Sequence, residues 1–163
     1  MPLVKDVAQR QAEAVLEQYW DGKLPVDPAK IALRLNMQVY RANLRDSQSG
    51  LIIKESGKTP SIYLNANEPS QRQNFTCAHE LGHFFDRDAQ ADDEYSFVDY
   101  RDDTPNDARE WFAEHFAANL LMPTRAFIEL FDRGLSTYDL AAHFGVSQPA
   151  VRSRARSLRL RHG

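Results

Sequence analysis

The sequence has a single cysteine, Cys77, among its 163 residues. One thiol excludes an internal disulfide and a zinc knuckle of several thiolates, so any metal site has to use histidine and carboxylate ligands. The chain also lacks an apolar run close to the ~20 residues that cross a bilayer. Its first residues lack the basic start and apolar stretch of a secretory signal. We therefore expect a cytoplasmic protein without a membrane contact.

Glycine and proline are scarce as well, with seven and eight residues, which excludes collagen-like or low-complexity material. The hydrophobic fraction of 42% and charged fraction of 26% are those of an ordinary globular protein. The net charge of −3 conceals an asymmetry, because residues 135–163 hold five arginines and one acid, which leaves −7 for the rest. This length predicts one domain, with at most a small appendage.

Apolar residues recur at helical spacing in seven segments and form short β-branched runs in three others, which predicts an α+β fold. Ser70 and Thr124 are predicted helix caps. The acidic stretch of residues 86–107 is predicted to be a solvated loop, or an acidic rim that attracts a basic partner. The predicted helices are residues 3–19, 28–36, 70–85, 107–122, 124–133, 137–144 and 149–158, and the predicted strands of a small antiparallel sheet are residues 37–40, 51–53 and 62–64.

The feature that carries chemistry is His79-Glu80-Leu81-Gly82-His83 in the third predicted helix. Residues four apart share one helical face, so His79 and His83 can bind one Zn²⁺. Glu80 does not need to be a ligand, and its carboxylate can act as the general base toward water. Gly82 is expected to leave room near the metal.

A catalytic zinc usually has three protein ligands, so a third ligand is needed. The candidates are Glu110, Glu114, His115 and the aspartates of the acidic stretch. Glu110 and Glu114 are four residues apart on one face of the predicted helix 107–122, which makes either of them suitable. Spacing alone leaves that choice open.

Two segments resemble the ImmA/IrrE-type metallopeptidases. One is residues 75–83, Phe-Thr-Cys-Ala-His-Glu-Leu-Gly-His, and the other is Glu110 followed by Ala113 and by residues 116–123, Phe-Ala-Ala-Asn-Leu-Leu-Met-Pro. The resemblance implies a zincin-like domain over residues 1–134 and makes Glu110 the third zinc ligand. Glu114 stands where Asn or Asp is commoner, which suggests a carboxylate that orients a histidine.

The resemblance also implies an activity, that of a zinc endopeptidase that cleaves an Xre-type helix-turn-helix repressor. In that mechanism Glu80 activates water, and a further group stabilises the oxyanion. The candidates for that group are His115, Tyr95 and Tyr100. The alternative is a non-proteolytic regulator that binds a repressor, a toxin–antitoxin partner or DNA.

Residues 135–163 read like a helix-turn-helix segment packed on the domain, with Gly145 in the turn and Ser147 as a cap. The second helix carries Arg152, Arg154 and Arg156, which are candidate contacts to a partner or to DNA. The acidic body and the pI of about 5.9 favour packing or repressor docking over DNA binding.

Overall fold

The structure is a computed structural model that describes residues 2–102 and 104–161. Asp103 of the predicted acidic loop lies outside the described residues, as do residues 1, 162 and 163 at the ends of the two predicted segments. The fold of the described part is α+β, as predicted. Its helices are α1 (Val4–Tyr19), α2 (Pro28–Arg34), α3 (Ser70–Ala89), α4 (Ala108–Leu121), α5 (Thr124–Asp132), α6 (Thr137–Phe144) and α7 (Gln148–Ser157), and its strands are β1 (Gln38–Ala42), β2 (Gln48–Lys54), β3 (Ser61–Asn65) and β4 (Tyr95–Tyr100).

The sheet differs from the predicted one in strand number and in strand direction. Its order is β1-β3-β2-β4, with β1 parallel to β3 and the other neighbours antiparallel. The prediction of a three-stranded antiparallel sheet is therefore wrong, because the described residues form a four-stranded mixed sheet. The β1–β3 pair is parallel because the chain crosses through β2 before it returns beside β1.

The additional strand, β4, lies in the stretch that was predicted to be a solvated loop. Tyr95, Phe97 and Asp99 alternate with more exposed neighbours, as in a strand with one covered face. Acidic residues on both sides of this short run conceal the alternation. One of them, Asp93, accepts hydrogen bonds of 2.7 Å from Lys54 Nζ and Ser56 Oγ, so part of the acidic stretch is tied to the sheet.

The helix starts follow local chemistry, with two corrections. Side-chain oxygens of Asp27, Asp107 and Ser147 accept backbone N–H groups at the starts of α2, α4 and α7. Ser70 and Thr124 are the first helical residues rather than caps, because prolines occupy the preceding positions. Helix α3 also continues to Ala89, beyond the predicted end at residue 85.

Helix α3 packs between the sheet and α4, and two glycines permit the close approach. A Cβ on Gly50 of β2 would lie 2.6 Å from Cγ2 of Thr76 in α3. A Cβ on Gly82 of α3 would lie 2.9 Å from Cα of Ala113 in α4. The sequence predicted that Gly82 leaves room near a metal. In the structure the absence of a side chain at Gly82 makes room for the α4 backbone instead. The contact brings the ligand-bearing faces of α3 and α4 together.

The C-terminal helices α6 and α7 join through Gly145, whose φ of 66° is left-handed. The side chain of Arg154 in α7 is buried and reaches the end of α4. Its guanidinium donates hydrogen bonds to Met122 O, Asn119 Oδ1 and Thr124 Oγ1. None of the helices in the described part of the chain combines the length and apolar character that a membrane span requires.

Candidate metal centre

Helix α3 supplies two imidazoles and a carboxylate from one buried segment. His79, Glu80 and His83 are each at most 2% exposed, although all three are polar. Four-residue spacing places both histidines on the face that meets α4. Polar groups are buried at this density only where they pair or bind a ligand.

Glu110 faces the histidines from the first turn of α4. Its Oε2 lies 2.8 Å from His83 Nε2, and its Oε1 lies 3.4 Å from His79 Nε2. Among the described residues, His79, His83 and Glu110 form a group whose ligand atoms all lie within 4.8 Å of one another. The cap formed by Asp107, which accepts a hydrogen bond from Glu110 N, fixes where α4 begins and so where Glu110 stands.

Several polar atoms of this cluster have no hydrogen-bond partner. Both nitrogens of His83, both carboxylate oxygens of Glu80 and Oε2 of Glu110 are buried and unpaired. The short contact between His83 and Glu110 lacks hydrogen-bond geometry. This is expected of two metal-ligand atoms that both face one ion rather than each other. The residues present therefore fit a divalent metal ion bound by His79, His83 and Glu110.

The pKa values of these side chains are shifted by burial and by their neighbouring charges. Burial raises the pKa of Glu80 well above its ordinary value, because the charged carboxylate loses its water. Burial opposes ionisation of Glu110 as well, but its contacts with His79 and His83 lower its pKa below the usual range. Burial lowers the pKa of His83. For His79 the carboxylates of Glu110 and Glu114 outweigh burial, and its pKa is raised.

A cavity of about 430 Å³ opens beside the cluster. His79 and Glu110 line it, whereas Glu80 and His83 lie behind them and are not among the lining residues. The opposite wall is the end of β4 with the loop that leads to α4. Its lining residues there are Phe97, Val98, Asp99, Asp102, Thr104, Pro105 and Asn106.

Sequence reasoning missed three residues of this site. The Phe97 ring stacks on His83 with centroids 4.1 Å apart and planes 3° apart. The Arg109 guanidinium lies over the same Phe97 ring at 5.5 Å. Asp99 lines the cavity, and burial raises its pKa. A period-two pattern within the acidic stretch was the signal for Phe97 and Asp99, whereas no sequence signal marked Arg109.

The remaining predicted residues take different places. Glu114 lines the cavity, and its Oε1 lies 3.3 Å from His79 Nδ1, although the two atoms do not form a hydrogen bond. His115 stacks on Trp111 at 5.7 Å and is not among the cavity residues. Tyr95 lies beside Phe97 on β4, and Tyr100 is exposed at the far end of that strand. The cavity lining includes neither tyrosine.

The three arginines of α7 are also separated. Arg152 and Arg156 are exposed, as a partner contact requires. Arg154 is 5% exposed and its guanidinium is occupied by α4 and α5, so its interpretation as a surface contact is wrong. Burial lowers the pKa of Arg154 to about 10, which leaves it charged at neutral pH.

The fold and the cluster define a class of protein, an α+β domain in which a His-Glu-x-x-His helix and a Glu on the facing helix enclose a candidate metal site. Residues 32–156 match the peptidase M78 family, described as the IrrE N-terminal-like domain. Because the match spans most of the chain, the chain belongs to this family. The resemblance to ImmA/IrrE-type metallopeptidases is thereby confirmed.

The fold is also similar to a solved structure, that of a Mycobacterium tuberculosis transcriptional regulator. The two share 18% identity and a TM-score of 0.61, over 93% of this chain and 46% of that chain. At this identity the likeness shows the fold alone, and this chain spans less than half the length of the regulator. No curated protein matches the sequence.

Proposed function

We propose that the protein is a zinc-dependent endopeptidase whose substrate is an Xre-type helix-turn-helix repressor. One observation carries the proposal: the ligand atoms of His79, His83 and Glu110 converge within 4.8 Å of one another, next to a buried Glu80 in the same helix as the histidines, and those of His83 and Glu110 Oε2 have no hydrogen-bond partner. Two imidazoles and one carboxylate are a ligand set of catalytic zinc sites, in which a fourth position stays open. Family membership supports the peptidase class.

In this proposal His79, His83 and Glu110 would hold the zinc, which would supply Lewis acidity when bound. The Glu80 carboxylate accepts the proton of the attacking water and then donates it to the leaving amine nitrogen. Both Glu80 oxygens are free of protein hydrogen bonds and so are available to accept that proton. Glu114 is proposed to orient the His79 ring through the charge of its carboxylate, which lies 3.3 Å from Nδ1.

The α6–α7 pair is proposed to be a helix-turn-helix-like element that packs on the domain and helps to dock the repressor. Ser147 caps α7, and the exposed Arg152 and Arg156 remain open to a partner. Buried Arg154 supports the packing part of this role, because it joins α7 to the end of α4. Cleavage would relieve repression.

The test compares zinc-loaded wild type with Glu80→Gln on an Xre-type repressor from the same genome, with intact mass spectrometry of both chains. The substitution keeps the shape of the side chain and removes the base, so cleavage should fall roughly 10²–10⁴-fold. Zinc content should stay unchanged. Glu94→Gln is the control, because Glu94 is exposed and outside the cluster.

A single new cleavage that only wild type and Glu94→Gln produce would support the peptidase. Retained cleavage by Glu80→Gln contradicts the role of Glu80. An uncut repressor held in a stable complex by wild type and Glu80→Gln alike would instead support the non-proteolytic regulator.

A further inference from the structure

A second cavity, of about 500 Å³, adjoins the cavity beside the metal centre. The two cavities share Asp99, Pro105 and Glu114, which therefore form a common rim. The walls of the second cavity come from the start of α3, the end of β4 and the α6–α7 turn. A ligand bound across the rim would occupy both cavities at once.

The wall of the second cavity combines apolar and polar side chains in about equal parts, with one available cation. Phe75, Val146 and Ala150 provide apolar surface on facing sides. Arg101 also lines the cavity, but its Nε donates to buried Glu68 at 2.9 Å, so its charge is already paired. Arg72 is the other cationic lining residue.

The Arg72 guanidinium is poorly satisfied. Its Nη2 donates one hydrogen bond, of 3.3 Å, to the carbonyl oxygen of Arg101. Its Nε is buried without a partner, and Arg72 forms no ion pair with any carboxylate in the described part of the chain. Since a guanidinium offers five N–H donors in a planar fork, this side chain has donors left for a ligand.

The charge of the two cavities differs. The cavity beside the metal centre is lined by Asp102, Asp107 and Glu110 in addition to the acids of the rim, against the single cation Arg109. The second cavity shares the acids Asp99 and Glu114 of the rim, and its other charged lining residues are Arg72 and Arg101. Asp99 interacts with Arg72 at longer range, without an ion pair. A negative group is therefore best accommodated at the Arg72 end.

We propose that the second cavity is a subsite for one side chain of the bound polypeptide, and that Arg72 selects a carboxylate at the end of an aliphatic stem, as in glutamate. The stem would pack on Phe75 and Ala150, and the carboxylate would accept a forked pair of hydrogen bonds from Arg72. This inference rests on the proposed function, because it requires a polypeptide in the cleft. It also gives the α6–α7 turn a role as a wall of that cleft.

The test uses binding, so that it does not depend on turnover. Zinc-loaded full-length Glu80→Gln is immobilised and exposed to a pool of random decapeptides, and the retained peptides are sequenced. We expect acidic residues, glutamate above aspartate, to be enriched roughly tenfold at one position, because a hydrogen bond to a charged group has that strength. No enrichment, or no retained peptide, overturns the inference.

Substitution of Arg72 separates recognition from a structural role. In the Glu80→Gln background, Arg72→Gln should abolish the acidic preference, and Arg72→Glu should replace it with a preference for lysine and arginine. A structural role would weaken all peptides alike and could not reverse the preference. Arg10→Glu, at an exposed position of α1 outside both cavities, is the matched charge control and should change nothing. An acidic preference that survives Arg72→Gln contradicts the inference.

A second pair of variants tests the cavity itself. Ala150→Leu should fill the space against Phe75 and reduce the enrichment of glutamate, whereas Ala142→Leu, exposed on α6, should not. Wild type is then incubated with the same pool. Absence of any cleavage contradicts the proposed peptidase activity, and the binding preference still tests the Arg72 subsite. Cleavage without an acidic preference contradicts the Arg72 subsite and leaves the peptidase activity in place.

Discussion

Two clusters of buried polar side chains lie at the two ends of α4, and they differ in how far their hydrogen bonds are satisfied. At the first turns, Glu110 meets the histidines and Glu80 of α3, and several of their nitrogen and oxygen atoms are unpaired. At the last turn, Arg154 donates to Met122 O, Asn119 Oδ1 and Thr124 Oγ1. His79, Glu80, His83 and Arg154 are each at most 5% exposed, and Glu110 is partly buried.

Hydrogen bonding decides what each cluster can do. An unpaired buried polar group costs about 1–3 kcal/mol, so the first cluster lowers the stability of the metal-free chain. A bound metal ion would reverse that cost. The satisfied cluster around Arg154 needs no ligand and joins α7 to α4 and α5. The difference separates a ligand site from a structural contact.

The largest effect should come from removing a metal ligand. At a free zinc concentration of about 1,000 times Kd, binding stabilises the native state by about 4 kcal/mol. For a chain of this length that corresponds to a rise in Tm of roughly 10 °C. His83→Ala should eliminate this rise, because one of three ligands is lost. Thermal unfolding with excess zinc and with a chelator measures the difference for each variant.

The control is His143→Ala, since His143 is exposed on α6 and lies outside the cluster. It should keep the full difference in Tm between the zinc and chelator conditions. Zinc content after dialysis gives an independent reading of the same sites. A zinc-dependent rise that persists in His83→Ala would mean that zinc is bound elsewhere, and the comparison between the clusters would fail.

The next effect should come from the satisfied cluster. Arg154→Met keeps an unbranched stem but leaves Met122 O and Asn119 Oδ1 buried without donors. Two unpaired acceptors predict a loss of about 2–4 kcal/mol in the free energy of unfolding. The loss should be the same with zinc and with chelator, unlike that of His83→Ala. Urea unfolding in both conditions measures it.

Arg156→Met is the matched control, because Arg156 is an exposed arginine on the same helix. Its effect should stay within about 0.5 kcal/mol. If Arg154→Met were equally harmless, the hydrogen bonds to α4 would not hold α7 in place. If it lowered only the zinc-dependent part of the stability, the two clusters would form one coupled unit.

The sequence predicted what is local to one helix. His79, Glu80 and His83 follow from a five-residue motif, and the helix that presents them follows from its apolar period. The choice between Glu110 and Glu114 did not follow from spacing, because both share a face of α4. Only the packing of α4 on α3 makes Glu110 the carboxylate that meets both imidazoles, with Glu114 beside one nitrogen of His79.

The errors have one physical origin, which is that burial depends on the partner of an element. Arg154 has the same residue type as its exposed neighbours Arg152 and Arg156, and only its place against α4 distinguishes it. Strand β4 has six residues among acids, and its pairing with β2 supplies the backbone partners that the sequence pattern does not reveal.

The smallest effect in this comparison concerns how His83 is held. Metal-binding histidines usually donate their second N–H to a carboxylate or carbonyl, and this hydrogen bond fixes the ring. His83 Nδ1 has no such partner, and the Phe97 ring stacks on the imidazole at 4.1 Å instead. We infer that stacking replaces the missing hydrogen bond, so Phe97→Leu should weaken zinc binding about tenfold, at the low end of effects seen for outer-sphere partners.

Competition with a chromophoric chelator measures that change in zinc affinity. Phe97→Tyr keeps the ring and should retain wild-type affinity, and Tyr100→Leu, on the exposed face of the same strand, should do the same. A loss shared by all three variants would indicate a general effect of β4 on the fold. Equal zinc affinity in Phe97→Leu and wild type would show that the packing of α3 on α4 orients His83 without the Phe97 ring.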